Sequence, residues 1–291
     1  ENWGNARKSV ERSLQLEPEQ PLALDLLGRV AQNTGDAVSG VRLSIEAYDV
    51  DPQDPGYPAW IARFLYGLGL REQGDGFRTQ ALAMAPTSTA ARGLEIYRAI
   101  RFDSRERQNE IARQMIVDKV GMRAGTWQYF ALFNNAAVDG SVEDTLSFME
   151  SSYPGFLDFE QSVPFGLTSA RLWSLGALSR IETREQIQQR IMQLDYVLNE
   201  LMSDGGGPLW RLQIRALSGD AEGAVQIALE EIFSRPAIAT ASLNFDLYLD
   251  QPFLADVAAD QRIQNALKEY QMEKSQAAQD VAAYLDGLDL Y

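Results

Sequence analysis

The chain has 291 residues, 45% of them apolar, and a formal net charge of −15. That is apolar enough to fold on a core, and too acidic for a nucleic-acid surface, which needs a basic stripe rather than the short, acid-interrupted patch RFDSRER at 101–107. Neither Cys nor His is present, which removes thiolate metal sites, thiol nucleophiles, the Ser-His-Asp triad and His general bases.

The opening ENWGNARK lacks Met and the apolar core of a signal peptide. It reads as the start of a fragment or processed piece and says nothing about localisation. No apolar run approaches the roughly 18 residues of a membrane-spanning helix.

Prolines then return on a clock. Pro18, Pro52 and Pro86 are 34 residues apart, and Pro154 stands two further steps along. With proline as position 32, full units span 21–54, 55–88, 89–122 and 123–156, after the second half of an earlier unit. Position 8 reads Gly28, Ala62, Ile96 and Phe130; position 27 reads Ser13, Ala47, Ala81, Met115 and Met149. The pattern is regular in the first two full units and decays at Glu95, Gln108 and Val120.

Each unit reads as two helices. Leu24, Leu27, Val30 and Ala31 have the three-four spacing of a helix face. Thr34-Gly35-Asp36 supplies a stop and then an N-cap. Val41, Ile45, Ala47 and Tyr48 form the second face, ended by Asp51-Pro52. Turn signals of the same kind stand at Gly74-Asp75-Gly76, Asp103-Ser104, Asp139-Gly140-Ser141 and Gly219-Asp220. The spacing predicts close helix crossings where Gly28 meets Ala47 and Ala62 meets Ala81, since helices about 8–10 Å apart need small residues at the contact.

Further along, the chain predicts a helix near 165–180, a longer one near 183–203 and a flexible break at Asp204-Gly205-Gly206-Gly207-Pro208. Trp210, ALSGDA at 216–221, Ala224, Ala228 and Pro236 read again as helix, Gly-Asp turn, helix. ATASLNFDLYL at 239–249 alternates enough to be expected as an extended or irregular link. From Gln261 onward a long helix carries Ile263, Leu267, Tyr270 and Met272, in the manner of a solenoid's terminal element with one polar face.

The repeat resembles the tetratricopeptide repeat (TPR) family. The resemblance rests on Leu27, Gly28, Gly40, Ala47 and Pro52, then on Ile61, Ala62, Gly69, Ala81, Leu82 and Pro86. The half-unit with Ala6, Val10, Ser13, Leu14 and Pro18 extends it, so that residues 5–87 match specifically and 88–155 only in outline. The resemblance implies an all-α, right-handed TPR-like helix-hairpin solenoid of about six helix pairs, closed by C-terminal capping helices. Residues 1–155 would hold the TPR-like repeats, and 156–291 degenerate pairs and the cap, continuous with them.

The resemblance also implies a concave face lined by positions 2, 5, 9, 12 and 13 of each unit. Its ligand-binding candidates are Arg29, Gln32, Asn33, Arg63, Tyr66, Tyr97, Arg101, Trp127 and Asn134. The 34-residue step puts Arg29, Arg63 and Tyr97 in line, and guanidinium forks and aromatic faces suit carboxylates and peptide backbones. These residues are equally what a solvated helix face would carry. Asp25 and Arg29 stand where the chaperone-tail clamp of the family has Lys and Asn, so that ligand is not expected. The tryptophans Trp3, Trp60, Trp173 and Trp210 read as packing between helices.

Three other features point to no chemistry of their own. DVDPQDPG at 49–56 has calcium-like acid spacing, but the twelfth position of a calcium loop is Trp60 rather than Glu. The Gly-rich GDGFRT at 74–79 and SDGGGPLW at 203–210 lack the Gly-Lys-Ser/Thr ending of a phosphate loop and read as loops. Acidic pairs such as Glu143 with Asp144 and Glu230 with Glu231 read as solvated faces in a chain with 41 acids.

The expected function is a non-enzymatic scaffold for a protein or peptide, with no cofactor, no metal and no direct nucleic-acid binding. The closing QPFLADVAADQRIQNALKEYQ resembles the end of degenerate TPR regions in bacterial multidomain regulators, which follow a winged-helix DNA-binding domain, often with a membrane span, or a cyclase domain. That implies a sensory part of a transcriptional regulator, periplasmic if a span precedes it and otherwise cytoplasmic. A free-standing cell-envelope or assembly-factor protein and a carboxylate enzyme on a helical scaffold are the alternatives. Oligomeric state is left open.

Overall fold

A computed structural model describes residues 3–120, 127–161, 163–194, 207–240 and 245–288. Every regular element among the described residues is helical, so the chain is all-α. In order they are α1 (Trp3–Leu16), α2 (Pro21–Asn33), α3 (Ala37–Val50), α4 (Gly56–Leu68), α5 (Arg71–Met84), α6 (Thr89–Phe102), α7 (Arg105–Val117), α8 (Trp127–Asp139), α9 (Val142–Ser152), α10 (Phe165–Leu178) and α11 (Arg184–Gln193). After them come α12 (Pro208–Leu217), α13 (Ala221–Ile227) running into a π turn at Ala228–Phe233, short turns at Ala237–Thr240, Phe245–Tyr248 and Pro252–Leu254, α14 (Ala255–Ala259) and α15 (Gln261–Asp286). None of these helices is long and apolar enough to cross a membrane.

The chain forms two compact units. Unit one holds Glu1–Phe102, Arg235–Phe245 and Leu267–Tyr291; unit two holds Asp103–Ser234 and Asp246–Ala266.

In unit one the helices keep the proline clock: α2 and α3 fall within 21–54, α4 and α5 within 55–88, and α6 opens the next 34 residues. Local chemistry explains the breaks. Pro21 starts α2, where its missing N–H costs nothing. The Asp36 carboxylate accepts from the Ser39 amide at 3.0 Å and caps α3. Gly69 ends α4 with φ +89°, a left-handed conformation that favours glycine.

Two local expectations are corrected. Gly74-Asp75-Gly76 is not a turn, and GDGFRT is not a loop; both lie inside α5. The turn comes earlier, at Gly69, and Gly74 is small because the Tyr66 ring takes the space: a Cβ there would lie 2.5 Å from Tyr66 Cε1. The α2–α3 crossing is also displaced from the expected contact with Ala47. A Cβ on Gly28 would lie 2.9 Å from the Gly40 carbonyl and 3.1 Å from Ser44 Oγ. Ala47 instead packs with Leu24, Leu43 and Tyr57.

The main core of unit one joins Val41 and Ile45 of α3, Ile61, Phe64 and Leu65 of α4, Phe77 and Ala81 of α5, and Ala91 and Leu94 of α6. Val281 and Leu285 of α15, with Ile238, enter the same cluster. The C-terminal part of the closing helix thus packs on the early helix pairs of unit one. The helix's buried stripe is Ile263, Tyr270, Lys274, Val281 and Leu285, whereas Met272 is 65% exposed. Met272 follows Tyr270 by two residues, which turns it away from a face of period 3.6.

Unit two is built on aromatic residues. Phe130 of α8 meets Trp173 of α10 edge-on at 5.0 Å, and Trp173 meets Tyr248 at 5.8 Å. The buried Tyr248 hydroxyl donates to Gln213 Oε1 at 2.8 Å, and Gln213 Nε2 donates to the Leu172 carbonyl at 2.7 Å, so these two polar side chains are satisfied. Arg171, 1% exposed, donates to the carbonyls of Gly155, Phe156 and Gln161 at 2.9, 2.8 and 2.5 Å. It ties the segment after α9 to α10, and burial lowers its pKa.

The helix expected near 165–180 corresponds to α10, and the start of the one expected near 183–203 to α11, which ends at Gln193 and is shorter than α10 rather than longer. Residues 195–206, with most of the Gly-rich break, lie outside the described residues. The extended reading of 239–249 does not hold at the described positions. Phe245, Tyr248 and Leu249 are the buried residues there, a spacing of three and one that belongs to a helical turn rather than to alternation. Residues 241–244 lie outside the described set.

Candidate ligand-binding face

Unit one brings Arg29, Arg63 and Tyr97 into one stack, with a member the sequence reading assigned to packing. The Arg29 guanidinium lies 4.2 Å from the centroid of the Trp60 ring. Arg63 lies 5.3 Å from the same ring and 4.5 Å from Tyr97. Cations and rings therefore alternate across α2, α4 and α6. Each such contact is worth about 0.5–1 kcal/mol when exposed and about 2 when desolvated. Trp60 had a legible signal: it precedes Arg63 by three residues, the spacing that places two side chains on one helix surface.

The two arginines differ in their partners. Arg29 forms an ion pair with Asp25 one turn earlier, Nη2 to Oδ2 at 2.7 Å. Asp25 is buried while the Arg29 side chain is 41% exposed. Burial raises the Asp25 pKa above its ordinary value; the charge and hydrogen bond of Arg29 work against that shift. Arg63 has no carboxylate partner among the described residues, and its buried Nε has no acceptor among them. Its contacts are the two rings.

The other expected residues divide by accessibility. Asn33 is half-buried and donates to the Arg29 carbonyl at 2.8 Å. Arg101, also half-buried, reaches the Gly67 carbonyl at 3.4 Å. Gln32 is buried against Gly40 in the α2–α3 crossing. Tyr66 is buried too; its hydroxyl donates to Asp75 Oδ1 at 2.7 Å, and burial, then Asp75, pushes its phenol above the usual value. Trp127 and Asn134 belong to α8 of unit two, where Trp127 meets Phe130 edge-on at 5.1 Å and Asn134 is buried.

Several carboxylates elsewhere are engaged in structure. Asp54 accepts from the Gly56 amide at 2.7 Å and Asp51 from the Gln53 amide at 3.4 Å, which makes the calcium-like segment a pair of local turns. Asp144 pairs with Arg113 at 2.5 Å and Glu231 with Arg211. Among the described residues no three acidic side chains are grouped to hold a metal ion.

No family model matches this chain. No curated protein matches it at a significant level.

Proposed function

We propose that the chain is a non-enzymatic scaffold of TPR-like helix hairpins that binds a protein or peptide. We further propose that it forms the sensory or regulatory C-terminal part of a bacterial transcriptional regulator. The stack of Arg29, Trp60, Arg63 and Tyr97 carries the binding reading. Asp25 already neutralises Arg29. Arg63 is then the cation best placed to receive a partner's carboxylate, with flat rings on either side for apolar or backbone groups. Support for a right-handed solenoid comes from the helix pairs that keep the 34-residue step. The regulator reading rests on the likeness of the closing segment QPFLADVAADQRIQNALKEYQ.

The test compares capture of a bacterial partner by the whole chain and by the Arg29→Glu, Arg63→Glu double variant. The variant should keep its helical circular dichroism and lose the captured protein. Equal capture would remove the stack from the binding surface, and no capture by the parent chain would sink the scaffold reading.

A further inference from the structure

We propose that unit two holds a second, separate site, a cleft that binds a small organic monocarboxylate with an apolar body. The cleft measures about 420 Å³ and lies where the turn between α10 and α11, the end of α12 and the Pro252–Leu254 turn meet. Ligand pockets for small molecules run from about 300 to 1,000 Å³.

Its charge points to a monoanion. Arg180, Glu182, Arg184 and Asp256 line it. Glu182 is neutralised by Arg190, which donates to both of its oxygens at 2.8 and 2.6 Å. Arg180 and Arg184 have no carboxylate within ion-pair distance among the described residues, and Asp256 has no cation there. Two exposed guanidiniums and one exposed carboxylate thus line the same cleft, a local surplus of positive charge in a chain whose net charge is −15. One carboxylate balances that surplus, whereas a dianion would meet Asp256.

Its lining is more polar than apolar, and the smaller apolar part receives the body of the ligand. The buried Leu217 and Val257 and the half-buried ring of Phe253 belong to that part. Both principal side chains are seated on glycines. A Cβ on Gly219 would lie 2.6 Å from Arg184 Nη1, and a Cβ on Gly176 would lie 2.5 Å from Phe253 Cε1. Phe253 is braced further by the edge of Tyr248 at 6.0 Å. The guanidinium fork matches a carboxylate in two parallel bonds, and the ring supplies a flat apolar face next to it.

The site is tested by titrating phenylacetate into the ¹⁵N-labelled full chain at low salt, with neutral phenylacetamide as the isosteric control. Saturable shifts centred on residues 179–187 and 252–257 are expected, with a Kd no weaker than about 1 mM. Arg184→Gln and Phe253→Ala should each weaken binding about tenfold, with the amide spectrum otherwise unchanged. Asp256→Asn should tighten it, because the repelling charge is gone. Absence of saturation, equal binding of phenylacetamide, or weaker binding by Asp256→Asn would each overturn the proposal. None of these outcomes depends on Arg29 or Arg63, so the peptide-binding reading stands or falls apart from it.

Discussion

Arg63 lies over the ring of Tyr97, 4.5 Å from its centroid and 34 residues before it in the chain. The contact joins α4 to α6 through a face that is only half-buried. It is the point where the repeat step of the sequence becomes a contact between layers.

Trp60 is the ring shared by Arg29 and Arg63. Trp60→Ala should remove both cation–π contacts and the packing beneath them, lowering stability by about 2 kcal/mol. Trp60→Phe keeps a weaker aromatic face and should recover part of that loss. Urea unfolding of the two variants would decide; equal stabilities would mean that an aromatic ring at position 60 adds nothing to stability.

Asp25 makes stability depend on pH. Its folded-state pKa is raised above the ordinary 3.8, chiefly by burial. The folded protein therefore binds this proton more tightly than the unfolded chain does. The stability contributed by the proton is complete below the unfolded pKa and is lost as pH rises through the folded pKa. Asp25→Asn cannot ionise, so its stability relative to the parent should rise as pH increases from about 4 towards 7. A parent–variant difference that stays constant across that range would refute the assignment.

Two glycines should respond in opposite directions to alanine. A Cβ on Gly28 meets the backbone carbonyl of Gly40 at 2.9 Å, which cannot move without shifting α3. Gly28→Ala should destabilise by about 1–3 kcal/mol despite better helix propensity. Gly93 sits inside α6 with nothing within 4 Å of its added Cβ. Gly93→Ala should stabilise by about 0.5–1 kcal/mol. Thermal melts of both variants check the pair, and a stabilising Gly28→Ala would place the helix crossing elsewhere.

Helix ends were legible because their signals are local. Asp36, Ser104, Thr183 and Asp220 each accept from an amide three residues on, and each opens a helix. Gly74 misled for the opposite reason. Its small size answers to a ring eight residues earlier, on another helix, and so imitates a turn signal. Among the candidate site residues, the repeat step aligned Arg29, Arg63 and Tyr97, but the same alignment could not show that Gln32 and Tyr66 turn inward.

The order of residues alone thus indicated the all-helical class, several helix starts and the line of Arg29, Arg63 and Tyr97, because hydrophobic period, caps and proline act within a few residues of themselves. Folding decided the rest. Period marks which face of a helix is apolar and leaves open what that face meets. Only in three dimensions do Val281 and Leu285 join Val41 and Ile45 in one core, and only there does Arg171 find three carbonyls 10 to 16 residues away. The division of roles between Arg29 and Arg63 is of the same kind. Both are arginines at the same repeat position, and the difference lies in Asp25, which α2 carries one turn before Arg29 and buries.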